Sequence, residues 1–127
     1  GLRLSVLYLD LNKFKFINDN YGHPVGDLLL KEVAQRLEDC VRASDTVSRF
    51  GGDEFVILLE NIDSPANTAA VVNKIHQALN QPFVLGNHNI GILPSIGVAQ
   101  FPDDGDDETQ LLRHADHAMY RTKKSIP

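Results

Sequence analysis

Two adjacent carboxylates, Asp53 and Glu54, follow a pair of glycines near the middle of this 127-residue chain. The apolar residues 55–59 after them are typical of a buried strand, and residues 47–50 before them indicate the end of another strand. Gly51 and Gly52 would then supply the positive φ angles of a tight hairpin turn. A bare hairpin tip with two acids suits a phosphate-bound divalent cation, because carboxylates are ligands of hard metal ions. A polar surface turn whose acids only aid solubility also explains these residues, so both interpretations stay open.

A third carboxylate, Asp10, ends the first predicted strand. Residues 4–9 are mostly apolar, which is typical of a central strand covered on both faces. Ligands of α/β sheets gather at strand ends, so an acid at this position is well placed to bind one. Asp10 could equally cap the helix that follows.

The remaining patterns predict the elements that position these acids. Helical periodicity predicts helices over residues 12–20, 24–41 and 66–79 and a last helix through Leu111 to Met119. Further strands are expected over residues 82–85 and 90–99, with Pro94 restricting the latter to a sheet edge or a bulge. We therefore predict one α/β (α+β) domain with a central, mainly antiparallel sheet flanked by helices.

Composition narrows the classes of function. The chain carries a formal charge of −5 and has no dense basic patch, which argues against nucleic-acid binding. No apolar run approaches the roughly 20 residues of a membrane helix, so we expect no membrane contact by this segment. Residues 1–127 are expected to be one domain cut from a longer protein.

Several motifs resemble, in order and spacing, those of the GGDEF family, the diguanylate cyclases. The resemblance covers nearly the whole chain and implies a fold related to nucleotidyl cyclases and polymerase palm domains, which are ferredoxin-like. The matching segments are residues 10–19 (DLNKFKFIND), 22–27 (GHPVGD), 49–55 (RFGGDEF), 95–99 (SIGVA) and 115–123 (ADHAMYRTK).

The resemblance implies that two GTP condense to cyclic di-GMP and two pyrophosphates. Asp10, the backbone carbonyl of Leu11 and Asp53 would hold Mg²⁺ or Mn²⁺, two ions per active site, with Glu54 as a further ligand or a base. Asp10, Asp53 and Glu54 are thus the predicted catalytic residues. One domain holds one GTP, so catalysis is expected to require a homodimer with a two-fold axis.

The resemblance also implies how the substrate is bound. Lys15 and Lys123 would contact the triphosphate, and Asn18 and Asp27 would recognise guanine. A carboxylate accepts from guanine N1–H and N2–H₂, and an amide offers both a donor and an acceptor. The other substrate contacts that it implies are Phe14, His23, Gly51 and Gly52.

A short R-x-x-D pattern, Arg42 to Asp45, matches the family's product-inhibition site for cyclic di-GMP. Arginine suits phosphate because its planar fork binds two oxygens at once. Taken alone, the same residues are a helix-end arginine and a turn aspartate. The family further implies a fused sensory or phosphodiesterase domain and a cytoplasmic location, including the cytoplasmic part of a membrane-anchored protein.

Two departures from the family pattern support an alternative function. Asn12 stands where many members have a second aspartate, and residues 126–127 are Ile-Pro where the family usually has Gly-Arg. The amide removes a negative charge near the metals, and the missing arginine removes a phosphate contact. The alternative is a catalytically inactive domain that binds GTP or cyclic di-GMP as a regulatory module.

Overall fold

The computed structural model describes residues 3–124 and confirms the predicted mixed class, in its α+β form, with an antiparallel sheet and flanking helices. The Ile-Pro departure at residues 126–127 lies outside the described residues. Within residues 3–124, no helix combines the length and apolarity needed to cross a bilayer. The elements are β1 (Leu4–Leu11), α1 (Phe14–Tyr21), α2 (His23–Cys40), β2 (Thr46–Arg49), β3 (Glu54–Leu59), α3 (Pro65–Asn80), β4 (Phe83–Leu85), β5 (His88–Ile90), β6 (Pro94–Phe101) and α4 (Glu108–Lys124).

The main sheet has the strand order β2-β3-β1-β6, and all neighbouring strands are antiparallel. Strand β1 ends at Leu11, one residue beyond the predicted end at Asp10, so Asp10 lies inside it, opposite Glu54 of β3 and Ser95 of β6. Pro94 opens the edge strand β6, as predicted for a residue without a backbone N–H. Strands β4 and β5 form a separate hairpin.

Side-chain alternation gives the sheet two different faces. Leu7, Leu9 and Leu11 of β1 belong to the large buried core that also contains the apolar residues of α1, α2 and α3. Val6, Tyr8 and Asp10 alternate with them and therefore lie on the opposite face, where Val6 and Tyr8 pack in a smaller cluster with α4. Each fully buried leucine contributes roughly 2 kcal/mol of hydrophobic stabilisation, so the larger core anchors β1 firmly.

Helix α4 packs directly on the backbone of β6 because of Gly97. A Cβ atom at this position would lie 2.1 Å from the carbonyl oxygen of Ala115 and 2.1 Å from the backbone nitrogen of Met119. No side chain fits in that space. The close approach sets the path of α4, whose last turn carries Lys123 to the end of β1.

The predicted backbone conformation of the β2–β3 turn is wrong. Among the described glycines, positive φ angles occur at Gly22 and Gly86 and not at Gly51 or Gly52. The connection spans residues 50–53 and is closed by the Phe50 N–H, which donates to the Glu54 carbonyl at 2.8 Å. A loop of this length reverses the chain without the positive φ angles that a two-residue hairpin turn requires.

Replacing Gly97 should disrupt the docking of α4. We expect Gly97→Ala to lower the free energy of unfolding by roughly 1–3 kcal/mol, because the added methyl group forces the helix off the sheet. Urea denaturation followed by circular dichroism measures the change. Gly91→Ala is the matched control, since a Cβ there meets no atom within 4 Å. Equal stability of the two variants would contradict this account of α4 packing.

Candidate active site

Asp10 is a buried carboxylate with one oxygen left without a partner. Its residue is 5% exposed, and Oδ2 accepts a hydrogen bond from Lys123 Nζ at 2.7 Å. Oδ1 is buried and has no hydrogen-bond partner in the described structure. A buried carboxylate oxygen without a partner costs free energy. A bound cation or an added hydrogen-bond donor at Oδ1 would remove that cost.

Asp53 lies beside Asp10 at the end of the β2–β3 connection. Its carbonyl accepts from the Leu11 N–H at 3.1 Å, which ties the connection to β1. Burial raises the pKa of the Asp53 carboxyl, and the nearby charge of Asp10 raises it further. Two carboxylates this close resist carrying two negative charges unless a cation lies between or beside them.

Lys123 supplies positive charge at this pair. A hydrogen bond with Asp10 is the main cause that raises the pKa of the Lys123 ammonium, and the charges of Asp10, Asp53 and Glu54 add to it against the effect of burial. The ammonium therefore stays charged and offsets part of the negative charge. It contacts Asp10 Oδ2 and leaves Oδ1 unsatisfied.

Glu54, the third predicted carboxylate, faces a tyrosine. It lies directly opposite Asp10 in the β1–β3 register, and Glu54 Oε1 accepts from the Tyr8 hydroxyl at 3.3 Å. Burial raises the pKa of Tyr8 to about 12, and the charges of Glu54, Asp116 and Asp10 contribute. The hydroxyl thus remains protonated and able to donate.

The carboxylates of Asp10 and Asp53 suit a hard divalent cation, although they do not form a complete coordination site. No group of three or more His, Cys, Asp or Glu side chains in the described ranges is arranged to hold a metal ion. Asp10 and Asp53 nevertheless present adjacent carboxylates, one with a partnerless oxygen, and Mg²⁺ is commonly bound through one or two carboxylates plus substrate phosphates.

Asn12 does not offer its side-chain oxygen to this pair. Asn12 Oδ1 accepts from Ser95 Oγ at 3.0 Å, and its backbone N–H donates to the Leu93 carbonyl at 2.9 Å. The residue thereby fastens the end of β1 to β6. Its amide Nδ2 is buried without a partner.

The predicted guanine-recognition residues, Asn18 and Asp27, lie on the two packed helices α1 and α2. A Cβ atom at Gly26 would lie 1.8 Å from Asn18 Oδ1, so only glycine lets this amide lie against α2. Asn18 Oδ1 is buried and has no partner among the described residues. Asp27, the next residue on α2, lines a cleft of about 440 Å³ that also reaches Arg49 and Phe55.

The other predicted substrate contacts are distributed around this region. Lys15 is exposed on α1, and His23 is exposed at the start of α2. The Phe14 side chain is buried in the core, so only its backbone could contact a ligand. Gly51 lies near Glu54 Oε1, which would be 3.2 Å from a Cβ at that position, and Gly52 lies in open space.

Arg42 and Asp45 form a closed turn at the far end of α2. Asp45 Oδ2 accepts from the Arg42 N–H at 2.9 Å, and Asp45 Oδ1 accepts from the Glu60 N–H at 3.0 Å. The Arg42 guanidinium donates to the Glu60 carbonyl and pairs with Asp45. The Asp45 side chain is 3% exposed and the Arg42 side chain 57%, so the arginine is the accessible member.

Two residues of the site were not predicted from sequence. Tyr8 carries a hydroxyl in a mostly apolar strand, two positions before Asp10, and alternation could have placed it on the same face as the acid. Gly97 falls within the matching segment 95–99, but its packing role depends on the path of α4, which that segment does not reveal. Asp10 and Lys123 are 113 positions apart, so spacing alone could not pair them.

We expect Asp53→Asn to stabilise the metal-free domain at neutral pH. A carboxyl with a raised pKa favours folding while it is protonated, and that contribution is lost as pH rises through the raised pKa. In EDTA at pH 7 the melting temperature of Asp53→Asn should exceed that of the wild type by a few degrees, and the difference should shrink at pH 4. Asp106→Asn, at an exposed acid, is the control. A lower melting temperature for Asp53→Asn would contradict the repulsion between Asp10 and Asp53.

A sequence model of the family described as "Diguanylate cyclase, GGDEF domain" matches residues 1–126. The chain is 47% identical over 121 residues to the bifunctional diguanylate cyclase/cyclic di-GMP phosphodiesterase MucR of Pseudomonas aeruginosa, covering 95% of this chain and 18% of MucR. It is 39% identical over 122 residues to the cyclic di-GMP phosphodiesterase PdeR of Escherichia coli, covering 96% of this chain and 18% of PdeR. The chain thus spans about a fifth of these two relatives.

The fold matches solved structures of GGDEF domains. The crystal structure of the GGDEF domain of PA1120 (YfiN or TpbB) from Pseudomonas aeruginosa superposes with a TM-score of 0.95 at 37% identity, covering 98% of this chain and 78% of that one. The family match covers nearly the whole chain, and the carboxylate pair lies within its matching motifs. The chain belongs to the GGDEF domain family of diguanylate cyclases.

Proposed function

We propose that this domain is a diguanylate cyclase, which condenses two GTP into cyclic di-GMP and two pyrophosphates. The observation that carries the proposal is the pair of buried Asp10 and half-buried Asp53, with Asp10 Oδ1 unsatisfied, in a chain whose Arg49–Phe55 motif is intact. A surface turn with merely solubilising acids would not bury a carboxylate opposite another one.

In this reaction the 3′-hydroxyl oxygen of each GTP attacks the α-phosphorus of the other GTP. The new P–O bond replaces the bond to the β-phosphate, the hydroxyl proton is lost, and pyrophosphate leaves. Asp10 and Asp53, with the Leu11 carbonyl and Glu54, would hold Mg²⁺ or Mn²⁺, two per site. When bound, these ions lower the pKa of the attacking hydroxyl and neutralise the triphosphate.

Lys123 and Lys15 supply the remaining positive charge for the triphosphate. Lys123 already lies at the carboxylate pair, held by Asp10 Oδ2 at 2.7 Å, so its ammonium is close to where phosphates would enter. Lys15 is exposed on α1 and has room to reach a ligand. No P-loop motif is present in the sequence, so lysines and metal would carry the phosphate binding.

Asn18 and Asp27 would recognise the guanine base. The partnerless Asn18 Oδ1 can accept a hydrogen bond, and the exposed Asp27 carboxylate can accept two from guanine N1–H and N2–H₂. Adenine has neither an N1–H nor an amino group at C2, so it offers that carboxylate no donor at these positions. The pair would therefore select GTP over ATP.

Catalysis would require two copies of the domain facing each other. One site holds one GTP, and the attacking hydroxyl must come from a second GTP on a partner related by a two-fold axis. In the full-length protein, a fused sensory or phosphodiesterase domain would control that pairing. The reaction consumes GTP, which fits a cytoplasmic location, including the cytoplasmic side of a membrane-anchored protein.

Arg42 and Asp45 would form a product-inhibition site for cyclic di-GMP. The exposed Arg42 guanidinium can bind phosphate, but it now donates to the Glu60 carbonyl. Both Asp45 oxygens already accept backbone N–H groups. Product binding would thus exchange the Arg42–Glu60 bond for contacts with the ligand.

A regulatory domain that binds nucleotide without turnover is the second candidate. Asn12 favours this function. Its side-chain oxygen accepts a hydrogen bond from Ser95 and is therefore not available as a metal ligand. The relative PdeR is named as a phosphodiesterase, which shows that such a domain occurs in proteins with another named activity. The intact Arg49–Phe55 motif favours the enzyme.

The decisive experiment incubates the concentrated domain with GTP and Mg²⁺, then Mn²⁺, and separates nucleotides by anion exchange. We expect one cyclic di-GMP for every two pyrophosphates and a specific activity that rises with protein concentration. Asp53→Ala should reduce turnover by roughly 100-fold or more, since outer-shell partners of metal ligands alone are worth 10–100-fold. Unchanged GTP, even after two copies are joined by a dimerising fusion, would favour the regulatory function.

The same assay tests the product site. Added cyclic di-GMP should slow the wild-type reaction, and Arg42→Ala should turn over normally but resist this inhibition. Arg113→Ala, at an exposed arginine of α4, is the matched control and should remain inhibited. Equal inhibition of Arg42→Ala and wild type would show that residues 42–45 are only a structural turn.

A further inference from the structure

The hydroxyl of Tyr8 is a polar group at the carboxylate site to which the proposed mechanism gives no role. In the antiparallel register Tyr8 is opposite Val56, and Glu54 is opposite Asp10. Tyr8 and Glu54 are therefore diagonal neighbours on one face, a separation that an aromatic side chain can bridge. The Tyr8 hydroxyl donates to Glu54 Oε1 at 3.3 Å.

The Tyr8 ring is fixed by the groups around it. It packs against the cluster of Val6, Ala99, Leu111 and Ala115 beneath α4. Its ring also meets the Phe50 ring edge to face, with centroids 6.2 Å apart and planes at 75°. A ring held on several sides gives its hydroxyl a defined position without further ordering cost.

Glu54 lies between that hydroxyl and a glycine. A Cβ atom at Gly51 would be 3.2 Å from Glu54 Oε1, so the missing side chain leaves room for the carboxylate on that side. The backbone of Glu54 is fixed as well, because its carbonyl accepts from the Phe50 N–H at 2.8 Å. Tyr8 and Gly51 thus define where the Glu54 carboxylate can lie.

We propose that Tyr8 is a positioning residue that keeps the Glu54 carboxylate on the sheet face that carries Asp10, from which it can join the Asp10–Asp53 pair as a further oxygen ligand for a divalent cation. This inference rests on the proposed function, because it assigns Glu54 to the cation. Tyr8 itself touches neither cation nor substrate. It acts by restricting the rotamers of Glu54, which lowers the entropy lost when the carboxylate binds.

The test measures Mn²⁺ binding by electron paramagnetic resonance of the free ion, on the nucleotide-free domain. We expect Tyr8→Phe to weaken Mn²⁺ affinity by about 3- to 10-fold, at or below the bottom of the roughly 10–100-fold range typical of residues that orient metal ligands. Its melting temperature in EDTA should stay close to that of the wild type, because the ring is kept. Tyr120→Phe, at a tyrosine that is 55% exposed, is the matched control and should bind like the wild type.

Glu54→Gln and the double variant complete the test. Glu54→Gln should weaken Mn²⁺ binding, and adding Tyr8→Phe to it should cause no further loss, since Tyr8 acts through Glu54. Tyr8→Phe with wild-type affinity, or additive losses in the double variant, would overturn the proposal. Wild-type affinity in Glu54→Gln would overturn it too, by removing Glu54 from the cation. Because binding is read without turnover, an inactive domain would count against the cyclase proposal alone.

Discussion

The structure depends on one buried carboxylate at the end of its central strand. Asp10 lies within β1, almost out of contact with solvent, and one of its oxygens has no partner. Asp53 lies close enough for the charge of Asp10 to raise the pKa of the Asp53 carboxyl, on top of the effect of burial. The ammonium of Lys123 offsets only part of that charge. A cluster of this kind persists only because the surrounding fold holds it in place.

Three packing features bring these groups together. The buried leucines of β1 fix the strand against α1, α2 and α3, and the Leu11 N–H ties the β2–β3 connection to its end. Gly97 lets α4 lie on the sheet backbone, which delivers Lys123 to Asp10. The apolar core on one face thus offsets the electrostatic cost of the acids on the other. Such a division between a stabilising core and a strained site is common in functional proteins.

Much of this arrangement follows from local sequence patterns. Apolar runs and helical periodicity predict the α/β class and the elements, and Pro94 correctly predicts an edge position. The conformation of Gly51 and Gly52 was predicted wrongly, because composition indicates a turn but not the number of residues that form it. The Asp10–Lys123 pair, the Asn12–Ser95 bond and the Gly97 contact could not be predicted, because each joins residues distant in sequence and depends on how α4 and β6 pack.

The most direct test of the carboxylate site is a crystal structure with Mn²⁺ and a non-hydrolysable GTP analogue, with the metal located by anomalous scattering. The account predicts an anomalous peak within bonding distance of Asp10 and Asp53. It also predicts that Lys123 Nζ moves from Asp10 to the phosphate oxygens. Lys123 still bonded to Asp10, with the metal bound elsewhere, would contradict the central claim that this pair is the cation site.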